Sequence, residues 1–400
     1  MQQDTLAPRY VRQFQCTGSK CPDNCCHSWH VGVDPETWRG YKSNPALIPL
    51  MQDKLVDNQD LVTKETTPGY IKLDPATNLC TLQEPSGLCK LQKDFGEAAL
   101  CKTCDNYPRS FKLLGEDLIG TLTDSCPEAA RLLISDPDAL ELEFGPLQLP
   151  NNPLVYTAEA PNHFAERYQL LQTLITLLRY RGISLEMRLF ICGLLIQRAQ
   201  TLLDEGGDVS MQQLTELFVN LTGEGYFNEQ AQALGKNNDP ALGLVILKVL
   251  IKEKRGKSAF NDELQTALQG LEITNKTSLG SQHIKKLQEA RKRYLNPLEK
   301  KQGHALENLV VNWLLRDLFP IQKQNLNDGW AHIMARYLLL RTLICGVALK
   351  QKNLNKKDMA RIAYRFGRGV SHSQVLSTLL LELAGRDLDN ATVFSKALDL

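Results

Sequence analysis

The chain has 400 residues, 46 Lys and Arg against 45 Asp and Glu, a formal net charge of +1, and 11 cysteines. A content of 43% hydrophobic and 23% charged residues is that of a soluble globular protein and excludes large-scale disorder, a collagen-like repeat and a low-complexity chain. The near-neutral balance argues against a nucleic-acid binder, which carries a clearly basic surface. Two or three domains fit this length, with enough residues to bury a core without disulfide staples.

The first residues, Met1 to Arg12, are polar and carry Pro8, Arg9 and Arg12. They lack the apolar core and small-residue cleavage site of a signal peptide, so a cytoplasmic protein is expected. No spanning helix is expected either; Tyr337 to Leu349 comes closest, and Arg341 interrupts it. The first 130 residues hold 13 Lys and Arg against 17 Asp and Glu, a balance of −4, and the remainder 33 against 28, a balance of +5. Turn residues Asp74 to Asn78 and Gly115 to Asp117 separate short apolar runs, predicting hairpins at Tyr70–Leu82 and Phe111–Leu122. Short helices are expected over Phe95 to Cys104 and Pro127 to Leu133. A stretch rich in Pro and Asp, 135–161, reads as a linker.

Beyond it the pattern is helical. Leu171, Leu174, Ile175 and Leu178 mark one helix face, and Leu185 to Leu203 is apolar on most sides. Ala241 to Ile251, Leu306 to Phe319, Trp330 to Leu349, Lys356 to Phe366 and Ser371 to Leu383 continue the series; Pro320 ends the second of these. The expected fold is mainly α within an α+β class: a cysteine-rich metal-binding domain with short hairpins over 1–134, the linker 135–161, and an α-helical domain over 162–400.

Nine of the 11 cysteines lie at or before residue 126. In a reducing cytosol such density points to a metal site rather than a disulfide framework. Cys16, Cys21, Cys25 and Cys26 form C-x4-C-x3-C-C; Cys80, Cys89, Cys101, Cys104 and Cys126 follow, with Cys101-x2-Cys104 a short pair. Thiolates suit zinc and iron–sulfur clusters and suit magnesium or calcium poorly. The spacing does not choose the metal, since neither paired C-x2-C knuckles nor C-x3-C-x2-C is present. Adjacent Cys25 and Cys26 point apart and can serve two centres, or one can ligate while the other packs. Cys101 is the expected bystander, because the other eight already make two sets of four. Cys192 and Cys345 sit in apolar helical runs and read as core.

These residues carry a resemblance to the flagellin lysine-N-methylase family. Its elements are Pro8-Arg9-Tyr10-Val11, Phe14-x-Cys16, Cys21, Asp23-Asn24-Cys25-Cys26-His27-x-Trp29, Gly87-Leu88-Cys89, Cys104-x-x-Tyr107-Pro108-Arg109 and Ser125-Cys126-Pro127-Glu128-Ala129-Ala130-Arg131-Leu132. The match runs in order through the first ~133 residues; total length and the helical remainder are also similar. A broader similarity links Cys21 to Cys26 to C-x3-C-C metal-chelating proteins.

The resemblance implies a transferase that moves methyl groups from S-adenosylmethionine to surface lysines of flagellin. It also implies an oxygen-sensitive [4Fe–4S] cluster, with Cys16, Cys21, Cys25, Cys26, Cys80, Cys89, Cys104 and Cys126 as candidate ligands. One cluster takes at most four of the eight. Tyr107 and Arg109 are candidates for cofactor binding, because a guanidinium fork suits a carboxylate; a structural ion pair is the alternative for Arg109. His27 and Trp29 shield a cluster or pack, and Glu128 reads as a helix-dipole carboxylate. No residue is assigned as catalytic. The partner implied is flagellin, with no nucleic acid. Residues 248–301 carry 13 basic against six acidic residues, and Lys350 to Arg368 seven against one. Such basic helices leave room for peripheral membrane association, and a homo-oligomer is compatible with the sequence. The competing reading is a non-enzymatic zinc- or iron-chelating, redox-sensing protein with a helical partner-binding domain.

Overall fold

The computed structural model describes residues 2–27, 29–158, 162–235, 240–252, 258–371, 375–385 and 391–398. The chain is mainly α and divides into two compact units. The first contains 1–132 and 141–158; the second contains 133–140 and 159–400.

The first unit holds a five-stranded sheet of order β7-β1-β6-β5-β8: β1 Gln2–Pro8, β5 Arg109–Leu114, β6 Asp117–Leu122, β7 Leu142–Gln148 and β8 Val155–Ala158. β5 and β6 form the hairpin expected at Phe111–Leu122, with Leu114 opposite Asp117. β1 runs parallel to β6 and antiparallel to β7. The stretch 135–161 thus carries two strands of this sheet, with Pro146 inside β7 and Pro150 and Pro153 in the turn between them. Asn106 pins that turn: its Nδ2 donates to Asn152 O, and its Oδ1 accepts from Leu154 N–H, both at 2.8 Å. Tyr10, fully buried, joins the N-terminal helix Arg9–Gln13 to β6. Its hydroxyl donates to Leu122 O at 3.1 Å and accepts from Leu122 N–H at 2.9 Å.

A second, three-stranded antiparallel sheet has the order β2-β4-β3: β2 Val31–Val33, β3 Leu55–Asp57 and β4 Gly69–Ile71. The hairpin expected at Tyr70–Leu82 is reduced to a single bridge, Leu73 to Cys80, because β4 pairs with β2 and β3 instead. The helix Pro35–Ser43 packs Trp38 over β4 so closely that a Cβ on Gly69 would meet its ring at 2.1 Å. The helix expected over Phe95 to Cys104 is broken. Lys90–Phe95 ends at Gly96, whose φ of 79° suits glycine, and a separate helix Lys102–Asn106 follows. Pro127–Ser135 is helical, as expected.

The second unit is helical in its described residues from Phe164 onward. Phe164–Leu178, Leu185–Glu205, Ala241–Lys252, His304–Asp317, Leu326–Gln351, Lys356–Phe366 and Val375–Ala384 match the apolar periodicity. Of the run Ser371 to Leu383, residues 372–374 lie outside the described residues. Met211–Gly223, Ala259–Leu271 and Ser281–Ala290 are further helices. Leu326–Gln351 is the axis of the unit. It has the length and composition of a membrane span, but 89% of its apolar window is buried within the fold. Ala259–Leu271 crosses it at a glycine pair: a Cβ on Gly270 would lie 2.0 Å from Gly346 O.

Candidate functional site

The cysteines of the first unit are all free thiols. Val31, Val33, Trp38, Tyr41, Met51 and Ile71 form part of an apolar core that also contains Cys80 and Cys101. Cys26, Cys89 and Cys104 pack against it. The chain is drawn in by main-chain bonds: Cys80 N–H donates to Cys26 O at 2.7 Å, and Lys90 N–H to Leu82 O at 2.8 Å. Cys89 and Cys101 cap the helices Lys90–Phe95 and Lys102–Asn106. Asp34 fixes the second of these, accepting from Lys102 N–H at 3.0 Å and from Thr37 N–H at 3.1 Å. Burial alone would raise the Asp34 carboxyl, but these N–H groups hold it below its ordinary value.

The electrostatics show which sulfurs are neighbours. The Cys26 thiol is driven far up, first by a hydrogen bond with Cys25, then by burial and the charges of Cys25, Cys80 and Cys89. Cys104 is raised by its hydrogen bond to Cys101, by burial and by the charges of Cys101, Cys25 and Cys26. The same bond lowers Cys101. Burial raises Cys80 and Cys89. Cys126 is pushed up to about 12, first by burial, with Cys21 and Cys25 adding charge. Backbone N–H groups two or three residues further on point at four sulfurs: Leu82 at Cys80, Leu91 and Gln92 at Cys89, Thr103 and Cys104 at Cys101, Glu128 and Ala129 at Cys126.

The structure therefore brings Cys26, Cys80, Cys89 and Cys104 together and adds Cys101, which cysteine arithmetic sets aside. The charge of Cys25 acts on Cys26, Cys80, Cys89, Cys104 and Cys126. Cys16 is exposed. Among the described residues no three His, Cys, Asp or Glu groups stand close enough to hold a metal ion as they are. The chemistry of the donor set nevertheless fits a thiolate-bound iron or zinc centre. Buried thiols whose leading charged neighbours are other thiols stay protonated until a soft cation neutralises them, and the N–H groups aimed at the sulfurs favour their charged form.

The other expected residues have separate partners. Tyr107 shares a hydrogen bond with Ser125 at 3.1 Å, and its ring lies 5.9 Å from that of Trp29. Trp29 Nε1 donates to Cys25 O at 2.6 Å. The Arg109 guanidinium lies 5.2 Å over the Phe14 ring. His27 pairs with Asp23. Glu128 takes both nitrogens of an Arg131 fork, at 2.6 and 2.7 Å. In the second unit, part of the basic composition is spent internally, since Arg361 and Arg365 both bind the buried carboxylate of Glu263.

The second unit also holds polar residues that sequence reading misses. Glu307, fully buried, binds Arg188 at 2.6 Å and Arg181 at 2.7 Å. Glu186 Oε1 accepts from Arg291 at 3.0 Å, Tyr337 at 3.3 Å and Arg341 at 3.4 Å. Burial, then the charge of Glu186, pushes Glu299 up to about 7. The only sequence signal for this set is charge inside apolar helices, as with Arg341.

Residues 172–394 match the family model of the FliB lysine N-methylase C-terminal domain. The chain is 24% identical over 378 residues to the lysine-N-methylases of Salmonella choleraesuis and Salmonella typhimurium, covering 92% of this chain and 91% of each relative. It is 32% identical over 138 residues to the flagellar biosynthetic protein FliU of Salmonella muenchen, covering 34% of this chain and 79% of that one. No solved structure matches. The matched model spans more than half of the chain and sets aside the non-enzymatic reading: the chain belongs to the FliB lysine N-methylase family and is a protein-lysine N-methyltransferase.

Proposed function

We propose that this methyltransferase takes its methyl group from S-adenosylmethionine, acts on surface lysines of flagellin, and carries a [4Fe–4S] cluster on its N-terminal cysteines. The observation that carries the reading is full-length similarity to lysine-N-methylases in a chain that gathers its cysteines in one folded region. The relative named for flagellar biosynthesis supports the substrate. Cys26, Cys80, Cys89, Cys101 and Cys104 are the favoured source of ligands. Trp29 bonds the Cys25 carbonyl, Tyr107 bonds Ser125 next to Cys126, and Cys16 is the exposed outlier. A cytoplasmic site of action follows from such a substrate.

The reaction has one chemical demand. A lysine ammonium, with an ordinary pKa of about 10.4, has no lone pair and must lose a proton before it attacks the methyl carbon. The protein must accept that proton and align the amine with the sulfonium. A bound [4Fe–4S] cluster would supply iron able to hold the donor's amino and carboxylate groups or to exchange one electron. Arg109 offers a second contact for that carboxylate, and Trp29 and Tyr107 stand beside the Cys25 and Cys126 segments, bonding Cys25 O and the Ser125 hydroxyl.

Purification without oxygen tests the cluster, and label transfer tests the activity. Iron and acid-labile sulfide in stoichiometric amounts are expected, together with methyl label on flagellin lysines. A colourless protein with stoichiometric zinc overturns the cluster. Absence of label from flagellin with a full metal load overturns the substrate.

A further inference from the structure

In the second unit the helices Phe164–Leu178 and Met211–Gly223 lie side by side and leave two clefts on their shared surface, of about 450 and 350 Å³. Gln169 lines both. Its Nε2 donates to Thr215 Oγ1 at 3.4 Å, at the point where the clefts meet. Residues at an offset of 46 line the clefts together: His163 with Val209, Gln169 with Thr215, and Thr173 with Val219. A constant offset means that the two helices run in the same direction. Their N-termini therefore share the His163 end, where the helix dipoles favour an anion. The cleft of 350 Å³ reaches on to Thr173 and Asn220, beyond the first turns in which that field acts.

The hydrogen-bonding character of this second cleft is one-sided. Thr173 and Thr215, both buried, form its floor. Each hydroxyl turns its hydrogen onto its own helix, Thr173 to Gln169 O at 3.0 Å and Thr215 to Gln212 O at 2.9 Å. What each oxygen offers the cleft is lone pairs. Glu216 stands exposed at the rim. Its Oε1 accepts from Gln212 at 2.9 Å, and its Oε2 has no hydrogen bond or ion pair among the described residues. Val219 gives an apolar wall, and no Lys or Arg lines either cleft among the described residues. The surrounding sequence has the same sign: 199–235 holds six Asp and Glu and no Lys or Arg, in a chain of net charge +1. A ligand for this cleft must therefore donate hydrogen bonds, carry positive charge and have an aliphatic body. A metal ion is a poor candidate, because one carboxylate is too few to hold it. A lysine side chain meets all three demands: its ammonium has three donors and no acceptor, and its stem packs on apolar surface.

We propose that this cleft is a docking site for the protein substrate, receiving a lysine that flanks the methylated one, with the ammonium at Glu216 Oε2 and the stem against Val219. A carboxylate holds an ammonium in its charged form, which has no lone pair to attack a methyl group, so the docked lysine is not the one modified. The two clefts together give the substrate main chain a track from Glu166 to Thr173. Two turns of helix make it about 10 Å long, the reach of three extended residues. Docking of this kind rests on the protein-lysine methyltransferase activity alone, and not on the donor, the cluster or flagellin.

The test uses the full chain, purified without oxygen and loaded with its metal. The probes are a short fluorescent Gly-Ser peptide with three lysines and its twin with all three acetylated. At low salt the wild-type protein is expected to bind the lysine peptide about tenfold more tightly than the twin. Glu216→Gln is expected to weaken binding about threefold and Glu216→Lys about tenfold. Glu116→Lys, the same charge change on an exposed turn of the first unit, is expected to leave it within about twofold. Hydrogen exchange with the lysine peptide bound is expected to show protection in 164–178 and 211–223. In turnover of a lysine-bearing protein, E216K is expected to raise KM and leave kcat within about twofold. Equal binding of the two peptides, an E216K affinity within twofold of wild type, protection outside these two helices, or a fall in kcat at unchanged KM overturns the proposal. Binding is read without turnover, so a protein that docks the peptide but leaves flagellin unmethylated supports the cleft and counts against the flagellin reading instead. Unfolding curves of E216K establish that the variant is folded.

Discussion

Asp34 and Lys102 are far apart in sequence, yet Asp34 Oδ2 accepts the Lys102 backbone N–H at 3.0 Å while Oδ1 caps its own helix at Thr37. One carboxylate thereby fixes the helix Pro35–Ser43 against the helix that carries Cys104 and begins at Cys101. Asp34→Ala removes a cap and leaves a half-buried N–H without a partner. A loss of about 2 kcal/mol is expected, with a fall in bound metal, and Asp34→Asn should keep part of both. Urea unfolding and metal analysis under argon measure the two. Unchanged metal content in a destabilised Asp34→Ala would separate the helix from the metal site.

Cys101 and Cys16 provide a matched pair of substitutions. Cys101 is fully buried among the grouped thiols, and Cys16 is exposed. Cys101→Ser is expected to cut bound iron to less than half, and Cys16→Ser to leave most of it. The reverse order would place the centre at the N-terminal end of the cysteine series.

Glu307 braces the helical unit by holding two arginines on one buried carboxylate. Glu307→Gln strips the buried Arg188 and the exposed Arg181 of their shared anion. A loss of about 3–5 kcal/mol is expected, as for other buried pairs with one member removed. Thermal unfolding checks it; a shift within error would show that the arginines find other acceptors.

Glu299 gives a pH-dependent effect on stability. Its folded pKa is raised above that of an unfolded glutamate, so its contribution is fully present below about pH 4 and is lost as pH rises through about 7. At pH 8 the ionised carboxylate therefore costs stability. Glu299→Gln should stabilise the protein there by roughly 1–3 kcal/mol, the gain vanishing towards pH 4. Denaturant unfolding at several pH values measures this, and a constant difference across the range would contradict it.

Much of the helical unit is legible in the sequence, because apolar periodicity in Leu185–Glu205 or Leu326–Gln351 reports burial directly. The β5–β6 hairpin is legible for the same local reason, a turn between two apolar runs. β1 and β7 are not. They are polar edge-region strands whose pairing joins residues 2–8 to 142–148, and no local pattern encodes that contact. The cysteine count marks the first unit as rich in thiols but does not say which of them are neighbours. Cys101 is set aside by counting to eight, and its fully buried place beside Cys104 arises from tertiary packing. The pairing of Glu186 with Arg291 is equally invisible, because it joins residues more than 100 apart in sequence.

The most direct test of the account is mass-spectrometric mapping of flagellin after incubation with the oxygen-free, metal-loaded protein and S-adenosylmethionine bearing an isotopically labelled methyl group. The expected result is labelled methyl on surface lysine ε-amines, lost when donor or protein is omitted. Unlabelled flagellin from an enzyme with its full metal content, or label on side chains other than lysine, would contradict it.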